Sequence, residues 1–248
     1  AHSFANWILP ICCLPTDFWA WLINLVDMMH DMNSLKNIDG RLMYLPNKDE
    51  KSAVFVDFEN LRLLHRIKDG AKGQELTRAV GFKKQKGLKI LDATAGFGKD
   101  AFFLASLGCE VRLLERDPIM FRLLEDGFIR AQKSECRRVV ECIERMSLCE
   151  GDFLHANLQN GFWDTVYLDP MFPKKKKSAL VKKEMQVLQT LLSGDDSSSQ
   201  MITHALRYAI SRVVVKRRKS SPLLSEHLPD IQYSGSSNRF DVYLSGAR

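Results

Sequence analysis

From Gly87 onward, short apolar runs alternate with amphipathic segments, and that alternation leaves the chain few architectures. KILDAT, EVRLLER, SLCEGD, DTVYLDP and RVVVKR read as strands. KDAFFLASLG, PIMFRLLEDGFIRAQKS, RRVVECIERM, ALVKKEMQVLQTLLS and THALRYAI carry apolar residues at helical spacing. Pro118 stands where a first helical residue belongs, and Gly108 closes the helix before it. GDDSSSQ reads as a surface loop. Strands alternating with helices imply an α/β fold, with a mostly parallel sheet covered on both faces and right-handed crossovers. The chain ends in IQYSG, an SSN turn and FDVYL, a hairpin that adds antiparallel strands at one edge.

Residues 1–86 form a smaller N-terminal region ahead of this domain, which spans 87–248. The region holds a strand, SAVFVDF, and a helix, GQELTRAVG. The stretch from Phe4 to Met29 is apolar and rich in Trp. Pro10, Pro15, Asp17, Asn24 and Asp27 interrupt it, so it is a poor membrane span. It lacks a basic start and a small-residue cleavage site, so it is also a poor signal peptide. A helix capped by Thr16 suits it better. The six cysteines, at 12, 13, 109, 136, 142 and 149, form no C-x-x-C pair and keep no His cluster. They read as reduced thiols of a cytoplasmic protein, with no metal site.

LDATAGFGKDA carries G-x-G-x-x-A at Gly96, Gly98 and Ala101, and Glu115 ends the next strand. Small residues let a ligand approach the backbone, and a helix start offers free N–H groups. An acid on the neighbouring strand accepts hydrogen bonds from ribose hydroxyls. The loop alone suits either a dinucleotide or S-adenosylmethionine. Asp92 separates the two, because it stands ahead of Gly96 in D-A-T-A-G. A carboxylate there repels a pyrophosphate and attracts a sulfonium and an ammonium. Asp152, after the third strand, can accept from an adenine amino group.

The fourth strand ends in D-P-M-F-P, with Asp169 at its tip. Exocyclic amines of bases are weak nucleophiles, because their lone pair is delocalised into the ring. A carboxylate and a carbonyl, both accepting N–H bonds, hold such an amine with its lone pair turned outward. Asp169 and the carbonyl of Pro170 are the candidates, with prolines fixing the turn. Phe172 can stack on an extruded base. Lys174, Lys175, Lys176 and Lys177 follow, then Lys182 and Lys183. A second basic cluster, Lys216, Arg217, Arg218 and Lys219, comes at the end of the fifth strand. The net charge is +6. Two basic runs at the same sheet edge, flanking one pocket, suit the phosphates of a nucleic acid.

From about Asn37 onward the chain resembles the bacterial small-subunit ribosomal RNA (guanine-N2)-methyltransferase J family. The resemblance rests on FVDF, LDATAGFGKDAFFLASLGCEVRLLERDP, VYLDPMFPKKKKSALVKKEM, RVVVKR and NRFDVYL. It implies the class I methyltransferase fold, a Rossmann-like, mostly parallel seven-stranded sheet with a small N-terminal domain. It implies S-adenosylmethionine as methyl donor. The implied acceptor is N2 of a guanine near the 3′ end of 16S ribosomal RNA, offered as RNA or as the small ribosomal subunit. The family's donor-binding positions fall on Lys99, Asp100, Glu115, Arg116, Asp152, Phe153 and Asp169. The family usually carries Arg at Lys99 and small hydroxyl residues at Asp152 and Phe153. The first 36 residues do not follow its N-terminus. Rival readings are an amino-methyltransferase acting on DNA adenine or protein glutamine, which shares an N/D-P-P-Y/F turn, and a non-catalytic RNA-binding assembly factor. A nicotinamide-dependent dehydrogenase is a more distant third.

Overall fold

The computed structural model describes residues 34–46, 50–68, 75–82, 87–158, 162–170 and 198–246. The helix expected from Thr16 lies outside them. So do Phe172, Lys174 to Lys177, Lys182, Lys183 and the helix expected over ALVKKEMQVLQTLLS.

A two-stranded hairpin comes first, β1 (Leu35–Ile38) against β2 (Arg41–Tyr44). Asp39 and Gly40 make its turn, both at positive φ, as a tight hairpin of this kind requires. This hairpin is not among the elements expected from the sequence. Two short helices follow, α1 (Leu61–Lys68) and α2 (Glu75–Ala79).

The main sheet holds β3 (Lys89–Asp92), β4 (Glu110–Glu115), β5 (Met146–Glu150), β6 (Trp163–Leu168), β7 (Ala209–Arg218), β8 (Ile231–Ser234) and β9 (Asn238–Leu244). Their spatial order is β5-β4-β3-β6-β7-β9-β8. The first five run parallel, and β9 lies antiparallel between β7 and β8. Helices α3 (Lys99–Ser106), α4 (Pro118–Gln132) and α5 (Arg137–Glu144) cover one face, and α6 (Ser198–Tyr208) covers the other. Chain order reverses between β3 and β6, which opens a crevice at the carboxyl ends of those strands.

Local sequence accounts for most of these boundaries. Asp117 caps α4 by accepting from the Met120 amide at 2.8 Å, with Pro118 next in line. Val213, Val214 and Val215 are fully buried in β7, as expected of a strand covered on both faces. Two expectations need correction. SAVFVDF is not a strand of a sheet: only Val54 bridges, to Tyr44. Its alternating Val54, Val56 and Phe58 instead pack into the core as extended chain, with Phe58 stacked on Phe102 at 5.1 Å. The Arg130 guanidinium takes the Val56 carbonyl that a strand partner would have used. GDDSSSQ is not loop throughout, because α6 begins at Ser198.

The N-terminal segment shares the main core. Tyr44, Val54, Val56, Phe58, Leu63, Ile67 and Leu76 are buried in the same cluster as α3, α4 and α5. Gly127 of α4 lets that segment close in, since a Cβ there would stand 2.6 Å from Val56.

A buried ion pair ties down the chain between β7 and β8. Arg239 donates to Asp241, which is fully buried, and to the carbonyls of Lys219, Ser221 and Pro222. Gln232 also donates to Asp241, at 2.7 Å. Removing one partner of such a pair leaves a charge in the interior, which costs about 3–5 kcal/mol. Arg239→Ala is therefore expected to lose stability on that scale in urea denaturation. A loss below about 1 kcal/mol, the value of an exposed pair, would contradict this account of β7, β8 and β9.

Candidate active site

Strand alternation decides where the charged side chains go. In β6, Tyr167 belongs to the core under α3 and Leu168 to the core under α6. Asp169, the next residue, returns to the α3 side. The same rule carries Asp92 past Leu91, Glu115 past Leu114 and Lys216 past Val215. Three acids from adjacent strands and one lysine thus gather on a single face, at the carboxyl edge of the sheet.

Lys216 is the centre of this group. Its ammonium lies 2.7 Å from Asp100 Oδ2 and 2.8 Å from Asp169 Oδ2. Asp100, in the first turn of α3, also accepts from Arg66 at 2.7 Å and from the Tyr167 hydroxyl at 2.8 Å. Burial alone would raise the Asp100 carboxyl, but Lys216 and Arg66 outweigh it and hold it well below the usual range. Burial likewise opposes the charge on Lys216, yet Asp100 and Asp169 offset it and keep the ammonium firmly protonated. Asp169 is raised, first by burial and then by Asp100, with Lys216 opposing both. Its own amide donates to Thr94 Oγ1 at 2.6 Å, which fixes the strand tip to the glycine loop.

Asp92 and Glu115 are buried beside them. Asp92 accepts from the Thr94 amide at 3.2 Å. Burial pushes its carboxyl up to about 8, and Asp100, Asp169 and Glu115 add to the rise. Glu115 accepts from the Gly96 amide at 2.8 Å and from the Asp117 amide at 2.9 Å, and burial raises it to about 7. The glycine loop bends through positive φ at Gly96 and Gly98. A Cβ at Gly98 would crowd Leu124, Leu113 and Phe58 at 3.2–3.3 Å. Gly98 caps α3 with no side-chain hydrogen bond, so the helix presents backbone there.

The remaining expected site residues divide. Arg116 faces Asp152 at 3.7 Å, at the ends of β4 and β5. Asp152 also caps its own turn, accepting from the Leu154 amide at 2.8 Å. Lys99 opens α3, with its ammonium over the Phe97 ring at 4.9 Å. Pro170 follows Asp169 at the strand tip. The Phe153 side chain turns away: it is 3% exposed and packs edge-on against His204 and Tyr208 under α6.

Two members of the second basic cluster also need correction. Lys216 points into the carboxylates and not outward. Arg217 falls on the opposite sheet face, is 6% exposed and donates to the Pro222 carbonyl at 2.9 Å. Only Arg218 and Lys219 of that cluster are exposed. Period-two alternation within RVVVKRR carries this signal, which a count of basic residues overlooks. Sequence reasoning also missed Arg66, Tyr167 and Thr94. Tyr167 was open to the same alternation argument. Arg66 was not, because it reaches the site from α1 through tertiary packing, lying over the Phe103 ring at 4.4 Å.

Known proteins agree with this architecture. The SAM_MT family of SAM-dependent methyltransferases matches residues 23–245, starting upstream of Asn37. A ribosomal RNA small subunit methyltransferase J from Tolumonas auensis is 49% identical over 77% of this chain and 77% of its own. One of the same name from Photobacterium profundum is 42% identical over 89% and 90%. Among solved structures, a SAM-dependent methyltransferase from Neisseria gonorrhoeae superposes with a TM-score of 0.68 at 30% identity, covering 86% of this chain and 83% of its own. The chain belongs to the ribosomal RNA small subunit methyltransferase J family of SAM-dependent methyltransferases.

Proposed function

We propose that this protein transfers a methyl group from S-adenosylmethionine to the exocyclic N2 of a guanine near the 3′ end of 16S ribosomal RNA. The observation that carries the reading is Asp169. It stands at the tip of β6 with one oxygen on Lys216, next to a buried acidic face and a glycine loop.

The residues suit the donor. Asp92 is a buried acid whose raised carboxyl would gain from a nearby cation. Glu115 spends one hydrogen bond per oxygen on backbone amides, and each oxygen keeps a lone pair for a ribose hydroxyl. The bare start of α3 and the crowded Gly98 leave backbone, not side chain, against the ligand. Arg116 and Asp152 flank the far end, where an adenine would sit. When bound, S-adenosylmethionine supplies an electrophilic methyl whose bond to sulfur breaks with its electron pair as the amine lone pair forms the new N–C bond.

On the acceptor side, Asp169 and the Pro170 carbonyl hold the amine by its N–H groups and turn its lone pair outward. The methylated nitrogen is acidic and loses its proton to Asp169 or to water. The Thr94 contact holds the tip still, so the acceptors are aimed before substrate arrives. Phe172 is proposed as the stacking partner of the base. Arg218, Lys219 and the lysines Lys174 to Lys177, Lys182 and Lys183 are proposed to meet phosphates. Residues 87–246 carry this chemistry, and the N-terminal region lends Arg66 to it. The reaction belongs in the cytoplasm, where ribosomal subunits are made. No helix among the described residues is long and apolar enough to cross a membrane.

The identity of the product tests the reading. Small subunits lacking the modification, incubated with the protein and labelled donor, should yield N2-methylguanosine on digestion to nucleosides. Label on adenine, or none, would remove it. Asp169→Asn swaps an acceptor for an N–H that confronts the substrate's own N–H. Single-turnover transfer should then fall by about 10²–10³, the scale for one oriented group in a preorganised site. Transfer at the parent rate would take the amine away from Asp169. Glu115→Ala should weaken donor binding by about 1.5–3 kcal/mol, the scale of a hydrogen bond to a charged group. Unchanged affinity in calorimetry would place the ribose elsewhere.

A further inference from the structure

We infer that Lys216 is a positioning residue for methyl transfer: anchored on Asp100, its ammonium holds Asp169 by Oδ2 and so directs Oδ1 to the acceptor amine. The inference rests on the reading of Asp169 as the acceptor of that amine's hydrogen bonds.

The geometry is that of a clamp. Asp100 is fixed from three sides, by Arg66, Tyr167 and Lys216, and is only 12% exposed on its side chain. Lys216 is 22% exposed and ends between two carboxylates. A lysine meant for phosphates would leave its ammonium in water, since holding that long side chain in one place costs conformational entropy. Here the cost is offset by two charge-assisted hydrogen bonds of 2.7 and 2.8 Å.

The charges around Asp169 show why a cation is needed there. Asp100 faces it from α3 and Asp92 from the end of β3. The buried Tyr167 hydroxyl comes from β6, while Lys216 and the more distant Arg217 come from β7. Without Lys216, two neighbouring acids and burial would favour a protonated Asp169. A protonated carboxyl presents an O–H where the amine needs an acceptor. Lys216 itself makes and breaks no covalent bond. It keeps Asp169 ionised and oriented while the methyl moves.

The test is the pH profile of single-turnover transfer to unmodified small subunits at saturating donor. Lys216→Gln keeps length and a hydrogen-bond donor but loses the charge. Its acid limb should move to higher pH by about one unit or more, as expected when an opposite charge within about 4–6 Å is lost. The rate near neutrality should drop about tenfold and recover as pH rises. Lys216→Arg should keep the limb near that of the parent. RNA affinity and its salt dependence should not change. An unmoved limb in Lys216→Gln overturns the inference. So does a salt slope reduced by about 0.7–0.9, the value of one lost phosphate contact. A parent protein that does not methylate guanine would sink the underlying reading and this inference with it. Methylation by the parent with an unmoved limb in the variant sinks this inference alone. If Lys216→Gln does not fold, the unsubstituted protein still decides. A clamped Lys216 ammonium should give a slowly exchanging nitrogen-15 signal coupled to the Asp169 carboxylate. Exchange as fast as that of surface lysines overturns the clamp.

Discussion

The bridge from Asp100 through Lys216 to Asp169 is the interaction on which the site depends. Parallel strands with a buried face deliver their terminal residues to one edge. In this chain those residues are Asp92, Glu115 and Asp169. Acids so close together, in a dry place, repel one another and favour protonation. Lys216, from the next strand over, and Arg66, from the N-terminal segment, supply the opposing charge. The result is a graded set of carboxyls. Asp100 is held firmly ionised, Glu115 and Asp92 sit near neutrality at about 7 and 8, and Asp169 lies on the raised side of its ordinary value. A cationic ligand finds acids that gain by ionising, while the acceptor amine finds one that is already held.

Much of the remaining structure serves that edge. The antiparallel hairpin of β8 and β9 makes β7 an inner strand, and the Arg239–Asp241 pair secures the chain beyond it. Position matters for Lys216, which sits where β7 pairs with Phe240 on one side, one residue past the Leu168–Val215 pair on the other. The N-terminal segment brings Arg66 over Phe103 and onto Asp100. Arg130 and Arg138 take the backbone carbonyls of Val56 and Ile67, so α4 and α5 hold that segment in place. The segment and the domain after it therefore share one core.

The sheet was legible in the sequence because its signals are local. Apolar runs end in acids, helices open on Pro118 or Gly98, and the last two strands flank a short polar turn. The acidic edge was legible for the same reason, since each acid ends its own strand. What was missed depends on partners distant in sequence. SAVFVDF alternates like a strand, but its neighbours are helices and a guanidinium. The hairpin at Asp39 and Gly40 had a local turn signal that went unused. Lys216 and Arg217 were grouped by charge, while the pleat sends them to opposite faces. Phe153 follows an acid at a strand end, yet its ring prefers the apolar space beside Tyr208.

The most direct test of this account is a crystal structure of the protein with demethylated donor and a guanosine-containing fragment of the 16S 3′ end. The account predicts the guanine N2 within hydrogen-bond distance of Asp169 Oδ1 and the Pro170 carbonyl, with Lys216 still on Oδ2 and ribose hydroxyls on Glu115. A guanine amine held by other groups, with Asp169 turned away toward Lys216 alone, would contradict it.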